Sequence, residues 1–310
     1  MMKIIFMGTP DFSVPVLDSL VEAGHEVVAV ITQPDKPKGR GKEMQPTPVK
    51  EAALRYNIPV YQPVKVRDDE FVKVLEGFNV DVMVVVAFGQ ILTKNILDMP
   101  KYGCINVHAS LLPKYRGAAP MQWSIIDGET KTGVAIQQMD EGIDTGDILA
   151  VEEIELDAKE TYGSLHDKLT VMGGPLVVKV LEELENGTVT RVKQNDEESN
   201  YVKIIKKSFG KIDFTMDAVK IERLIRGLNP WPSAFTTFNN KTLKIWDADV
   251  IAKEFEGEFG EIVEVTKNNF TVKTGKGALV VNELQLEGKK RMMTDAFLRG
   301  VTVEKGVILG

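Results

Sequence analysis

Residues 3–31, KIIFMGTPDFSVPVLDSLVEAGHEVVAVI, read as a strand, a turn, a helix and a second strand. The apolar run Lys3–Met7 ends at Gly8, a helical stretch over Phe12–Ala23 is closed by Gly24, and Glu26–Ile31 is again apolar and β-branched. Short β-rich runs alternating with helical stretches indicate an α/β domain with a mostly parallel sheet. The alternation continues downstream. Helices are predicted near Pro48–Tyr56 and Asp68–Gly77, and strands near Pro59–Tyr61, over Asp81–Ala87 and over Cys104–His108. The stripe Phe71, Val74, Leu75 and Phe78 is the expected core face of the second of these helices. Thr132–Met139 and Asp147–Leu156 then read as strands with no helix between them, and one long helix is expected over Thr161–Leu184, ending at Asn186-Gly187. Thr190–Tyr201 is polar and aperiodic, which predicts a linker. Beyond Lys211, one short helix near Asp217–Gly227 is followed by closely spaced β runs with Gly and Asn turns, the pattern of a small barrel or sandwich.

The chain has 310 residues, 43% of them apolar, and a formal net charge of −7. Taken whole, that charge argues against a nucleic-acid partner, because neutralising phosphates requires an excess of Lys and Arg. The sum hides an asymmetry. Residues 206–310 hold 17 Lys and Arg against 14 Asp and Glu, and residues 1–205 hold 21 against 31. Inside the acidic part, DKPKGRGKEMQPTPVK at 35–50 carries five basic and two acidic residues. The single cysteine, Cys104, excludes a disulfide framework and a cysteine zinc cluster, and three histidines leave little for a metal site, so no metal is expected. The opening residues have too few apolar side chains for a signal peptide, and the longest apolar run, Val82–Phe88, is too short to span a membrane, which predicts a cytoplasmic protein.

The first loop, Gly8-Thr9-Pro10-Asp11-Phe12-Ser13, sits where a dinucleotide fingerprint would sit, but Pro10 takes the second glycine's place and blocks close approach by a pyrophosphate. The most informative stretch is CINVHASLLP at 104–113. Side chains alternate along a strand, so Asn106 and His108 share a face near the carboxyl end, where open α/β sheets bind ligands. An amide and an imidazole there suit a tetrahedral oxyanion; a hydrogen-bonded polar pair at a strand end is the plain alternative. Cys104 lies deeper on the same face and reads as a small buried hydrophobe. DEGIDTGD at 140–147 lacks the spacing of a calcium loop. It reads either as a solvated acidic turn or as the source of a carboxylate that orients His108, with Asp144 the acid best placed between flexible turns. Lys36, Lys38, Arg40 and Lys42 alternate along an aperiodic excursion, as in a phosphate-seeking loop or a solvated surface loop. His25 and His166 read as structural, and NPWP at 229–232 as a rigid turn with Trp231 as packing anchor.

Together these stretches resemble the methionyl-tRNA formyltransferase family over nearly the whole chain. The resemblance rests on MGTPDFSVPVL at 7–17, QPDKPKGRGKEMQPTPVK at 33–50, NVHASLLPKYRGAAPMQW at 106–123, MDEGIDTGDIL at 139–149, NPWPSAF at 229–235 and LQLEGKKRM at 284–292. It implies a Rossmann-like catalytic formyltransferase domain with a mostly parallel sheet over residues 1–189, a linker over 190–206, and an OB-like β-barrel over 207–310 that holds tRNA. It places Asn106, His108 and Asp144 at the catalytic centre and Ser110, Leu111, Leu112 and Pro113 on the stretch that binds 10-formyltetrahydrofolate, with a cis Leu112–Pro113 bond. It matches Arg40 and its neighbours Lys36, Lys38 and Lys42 to the loop that enters the tRNA acceptor end, and the basic residues Lys206, Lys207, Lys289, Lys290 and Arg291 are the candidate tRNA contacts of the C-terminal part. The partners so implied are initiator methionyl-tRNA and folate, with the protein a monomer. In the implied reaction the methionyl amine attacks the formyl carbon, Asn106 and His108 stabilise the oxyanion, and Asp144 helps move the proton. A formyltransferase acting on a sugar-nucleotide amine is the nearest rival, and the basic loop argues against it. A hydrolase using the same trio differs only in its acceptor. A non-catalytic RNA-binding protein leaves the trio unexplained.

Overall fold

The apolar runs of the first part of the chain pair into one sheet. The structure, a computed structural model, describes residues 1–38 and 43–310. Its contacts divide the chain into two units: Met1–Gly117, Lys131–Glu155 and His166–Val202 form the first, and Ala118–Thr130, Leu156–Leu165 and Lys203–Gly310 the second. The first is built on seven strands: β1 (Lys3–Gly8), β2 (Glu26–Ile31), β3 (Val60–Tyr61), β4 (Val82–Val86), β5 (Cys104–His108), β6 (Lys131–Gln138) and β7 (Ile148–Glu155), in the spatial order β7-β6-β5-β4-β1-β2-β3. Strands β3 to β5 in this order pair in parallel, and β6 and β7 add antiparallel at one edge. From β1 the chain first builds outward through β2 and β3, then crosses to the other side with β4. That reversal opens a crevice at the carboxyl ends of the central strands, where ligands bind in such sheets. All five residues of β4 are buried, as expected of a strand covered on both faces.

Two helical readings change. The helix Asp69–Glu76 buries Val72 and Leu75, and Val74 is 39% exposed, because residues two apart lie on opposite sides of a helix with 3.6 residues per turn. The long helix of residues 161–184 is two, Tyr162–Thr170 and Gly173–Asn186. The second opens on Gly173-Gly174, where the backbone comes so close to its neighbours that a Cβ on Gly173 would lie 2.8 Å from Val107 Cγ1 and one on Gly174 2.1 Å from Ser19 Oγ. The polar stretch after it is no free tether up to residue 202. Val192 bridges Ile148, and Tyr201–Val202 pairs with Arg116–Gly117.

In the second unit the strands Ala234–Phe238, Lys241–Ile251, Ala278–Leu286, Phe270–Lys273 and Ile262–Val265 form an antiparallel sheet in that spatial order. The helix Ala218–Gly227 sends Ile221 and Ile225 into its core beside Phe238 and Ile245. The helix Pro120–Asp127 belongs to this unit too, with Trp123 and Ile126 packed on Leu224 and Leu228. The NPWP turn is fixed by Asn229, whose carbonyl accepts from Gly163 N–H at 2.9 Å and whose Nδ2 donates to the Trp246 carbonyl at 3.1 Å. Trp231 is 48% exposed, so it is not a buried packing anchor, and the polar contacts of Asn229 fix the turn.

Candidate active site

β5 carries Asn106 and His108 to the carboxyl edge of the sheet between parallel β4 and antiparallel β6. His108 is buried, and its Nε2 lies 2.9 Å from the Tyr115 carbonyl oxygen. A carbonyl only accepts, so Nε2 bears the hydrogen and Nδ1 is left to exchange a proton. Nδ1 faces Asp144 Oδ1 at 3.7 Å. Asp144 stands on the loop joining β6 to β7 with φ at 55°, in the left-handed region. Its Oδ1 accepts from Gln137 Nε2 at 2.8 Å and from Asn106 Nδ2 at 3.4 Å, and its Oδ2 accepts from Gly117 N–H at 2.7 Å. Two side-chain amides, a backbone amide and an imidazole thus converge on one carboxylate. Of the other acids of this loop, Asp140 accepts locally from Gly142 N–H and Thr145 Oγ1, and Glu141 is exposed.

The sequence reading missed Gln137, Gly117 and Tyr115. Gln137 sits directly opposite Asn106 across the antiparallel β5–β6 pair. The one available signal is a pair of glutamines following the apolar run Val134–Ile136 of the strand. Cys104 is fully buried, and burial, reinforced by the charge of Asp98, pushes its thiol up to about 12.

Ser110 is buried and donates its hydroxyl to the Lys114 carbonyl at 2.7 Å. Leu112 is buried, Leu111 and Pro113 are half-buried, and the Leu112–Pro113 bond is cis. The flanks of the basic segment pair as the short strands Lys36–Lys38 and Glu43–Gln45, so Lys36 and Lys38 fall on a strand, while Arg40 and Lys42 lie outside the described residues. Lys206 and Lys207 are exposed at a short 3-10 turn. Lys289, Lys290 and Arg291 are exposed beyond Leu286. Arg291 donates to both oxygens of Glu283, at 2.7 and 2.5 Å, and lies 4.7 Å from the Trp246 ring centroid. Lys244, which the sequence reading passed over, lies 5.5 Å from the same centroid. Among the described residues no three His, Cys, Asp or Glu side chains are grouped to hold a metal, and no helix is long and apolar enough to cross a membrane.

Comparison with known proteins adds the following. Residues 2–181 match the formyl transferase family, and residues 204–302 match the formyl transferase C-terminal domain. The chain is 59% identical over 314 residues to the methionyl-tRNA formyltransferase of Lachnospira eligens, covering 100% of both chains. It is 58% identical over 305 residues to that of Agathobacter rectalis, covering 98% of each. Among solved structures it is similar to WlaRD, a sugar 3N-formyl transferase determined in the presence of dTDP and 5-N-formyl-THF, with 21% identity, a TM-score of 0.68, and 94% of this chain and 99% of that chain covered. At that identity the likeness is one of fold.

Proposed function

The chain belongs to the methionyl-tRNA formyltransferase family, and from that premise we propose that it formylates methionyl-tRNA through Asn106, His108 and Asp144. The reaction moves the formyl group of 10-formyltetrahydrofolate to the α-amine of the methionyl group, in support of translation initiation. The observation that carries the residue assignment is the convergence of Asn106 Nδ2 and His108 Nδ1 on Asp144 Oδ1, at 3.4 and 3.7 Å, at the carboxyl edge of the sheet.

The steps follow from the chemistry of these groups. The attacking amine must be neutral, and α-amino groups titrate near about 7.7–8.0, so a fair fraction is free at neutral pH. Its lone pair forms the new N–C bond, and the carbonyl electrons move to oxygen. The second hydrogen of the Asn106 amide and a proton on His108 Nδ1 hydrogen-bond that oxyanion. Asp144 keeps both groups oriented and assists the proton that leaves the amine and reaches the departing folate nitrogen as its C–N bond breaks. Leu111 and Pro113, three and five positions after His108, are half-buried apolar residues of a kind that suits the face of a folate ring, which supports Ser110–Pro113 as the folate stretch. No step calls on a metal.

We assign catalysis to the part of the chain before residue 190 and tRNA holding to the part after 206, together with Lys36, Lys38, Arg40 and Lys42. The enzyme is taken to act as a monomer in the cytoplasm. In the decisive experiment, labelled 10-formyltetrahydrofolate is offered with methionyl-tRNA, a sugar-nucleotide amine or buffer alone. Label should enter methionyl-tRNA only. His108→Ala should lose about 10²–10³ in turnover while keeping its affinity for the tRNA. Wild-type turnover in that variant would sink the assignment.

A further inference from the structure

The groups that face His108 are gripped by a stretch of chain that reads as a linker. Tyr115, with φ at 60°, and Asp144, with φ at 55°, both occupy the left-handed region, which residues bearing a side chain avoid. The carbonyl of the first and the carboxylate of the second stand against the two ring nitrogens of His108. Residues 194–202 hold both. Gln194 is buried, and its Nε2 donates to the carbonyl oxygens of Asp144 at 2.9 Å and Gly146 at 2.7 Å, while its Oε1 accepts from Arg116 Nε at 3.0 Å. A guanidinium only donates and carbonyls only accept, so one orientation of the Gln194 amide satisfies all three contacts. Further along, the Asn200 side-chain oxygen accepts from Tyr115 N–H, and its carbonyl accepts from Arg116 N–H at 3.0 Å. Tyr201–Val202 then pairs with Arg116–Gly117. Gly117 is the residue whose N–H binds Asp144 Oδ2.

We propose that Gln194 and Asn200 are positioning residues for formyl transfer, on a strap that fixes Asp144 and Tyr115 against opposite sides of His108. The inference rests on the assignment of His108 and Asp144 to the chemistry. Without the two hydrogens of Gln194, the Asp144 peptide is released to relax out of its left-handed conformation, and the carboxylate moves off His108 Nδ1 and the Asn106 amide. A misplacement of about 1 Å can cost about 10²-fold in rate.

The test variant is Gln194→Glu, which keeps an oxygen for Arg116 and removes both hydrogens offered to the carbonyls. The expected result is a loss of kcat of about 10–10²-fold. Both KM values should stay within about twofold, as for an interaction that acts on the transition state alone. The thermal midpoint should fall, because two carbonyls lose their donor, so rates are read well below it. Asp144→Asn and the double variant, read by single-turnover rates, complete a cycle. The Gln194→Glu cost should largely vanish in the Asp144→Asn background, because the group being positioned is gone. Wild-type turnover in Asp144→Asn would remove the catalytic reading itself. A crippled Asp144→Asn beside a fully active Gln194→Glu would overturn the strap alone, as would equal costs in the two backgrounds or a parallel rise of both KM values. If Gln194→Glu does not fold, Asn200 decides. Asn200→Asp, which keeps the acceptor for Tyr115 N–H, should turn over faster than Asn200→Leu, and equal rates would overturn the proposal.

Discussion

Cys104 lies two residues before Asn106 on the same face of β5, yet its thiol has no part in the chemistry, because burial decides its state. The thiol is pushed from 9.0 up to about 12 by burial first and by the Asp98 charge second. Thiolate is the reactive form, so at pH 8 the native protein should take up no iodoacetamide, while the urea-unfolded chain should label fully. Intact mass after timed quenching checks this, and rapid native labelling would contradict it. The sign of the linkage follows. A raised folded pKa adds stability that is complete below 9.0 and is lost as pH climbs toward about 12. At this scale the sequence was readable wherever alternation alone sufficed. Asn106, His108 and Cys104 share a face because strands have period two. Gln137 was not readable, since its place opposite Asn106 depends on an antiparallel register that sequence does not disclose. The geometry at Asp144 also depends on partners distant in the chain, among them Asn106 and Gly117.

The longer strands and helices were legible in order and kind, because their apolar periods are local, whereas the helix Pro120–Asp127 and the short strands flanking the basic segment carry no such period and were not. The break between Tyr162–Thr170 and Gly173–Asn186 was not, because its cause is tertiary. Gly173 lets the second helix approach the face of β5 that points away from the site. A Cβ there would lie 2.8 Å from Val107 Cγ1 and 3.3 Å from Val16 Cγ2, and Val107 sits between Asn106 and His108. Gly173→Ala therefore presses on the strand that carries the site. Overpacking of this kind costs about 1–3 kcal/mol, against a helix-propensity gain of up to about 1 kcal/mol. A lower urea midpoint is expected, together with a lower kcat as β5 shifts. Gly187 offers the contrast: its φ is 69° and a Cβ would meet nothing within 4 Å. Gly187→Ala should lose about 1 kcal/mol through backbone strain alone and leave kcat unchanged. Unfolding curves and turnover measured on both variants separate pressure on the strand from general instability. Equal kcat in the two would show that β5 absorbs the contact.

Over the whole chain, a net charge of −7 conceals the feature that matters for a polyanionic substrate, since residues 206–310 carry a basic excess of 17 over 14. Composition made that asymmetry legible. It did not reveal which cations are already engaged, nor that the polar residues up to 202 belong to the first unit. Arg291 spends its guanidinium on Glu283 and covers Trp246, so its removal would disturb packing as well as charge. Lys289 and Lys290 are exposed on the adjoining turn and give the cleaner test. Each phosphate contact contributes about 0.7–0.9 to the slope of log affinity against log salt, through release of condensed counterions. If both lysines reach phosphates, Lys289→Ala/Lys290→Ala should flatten the salt dependence of KM for methionyl-tRNA by about 1.5 in that slope. KM itself should rise several-fold at low salt and converge on the parent value as salt increases. KM for the formyl donor and kcat at saturating tRNA should not move, because neither depends on holding the tRNA. Initial rates across a salt titration resolve all of these at once, and an unchanged slope would take these two lysines out of the tRNA surface.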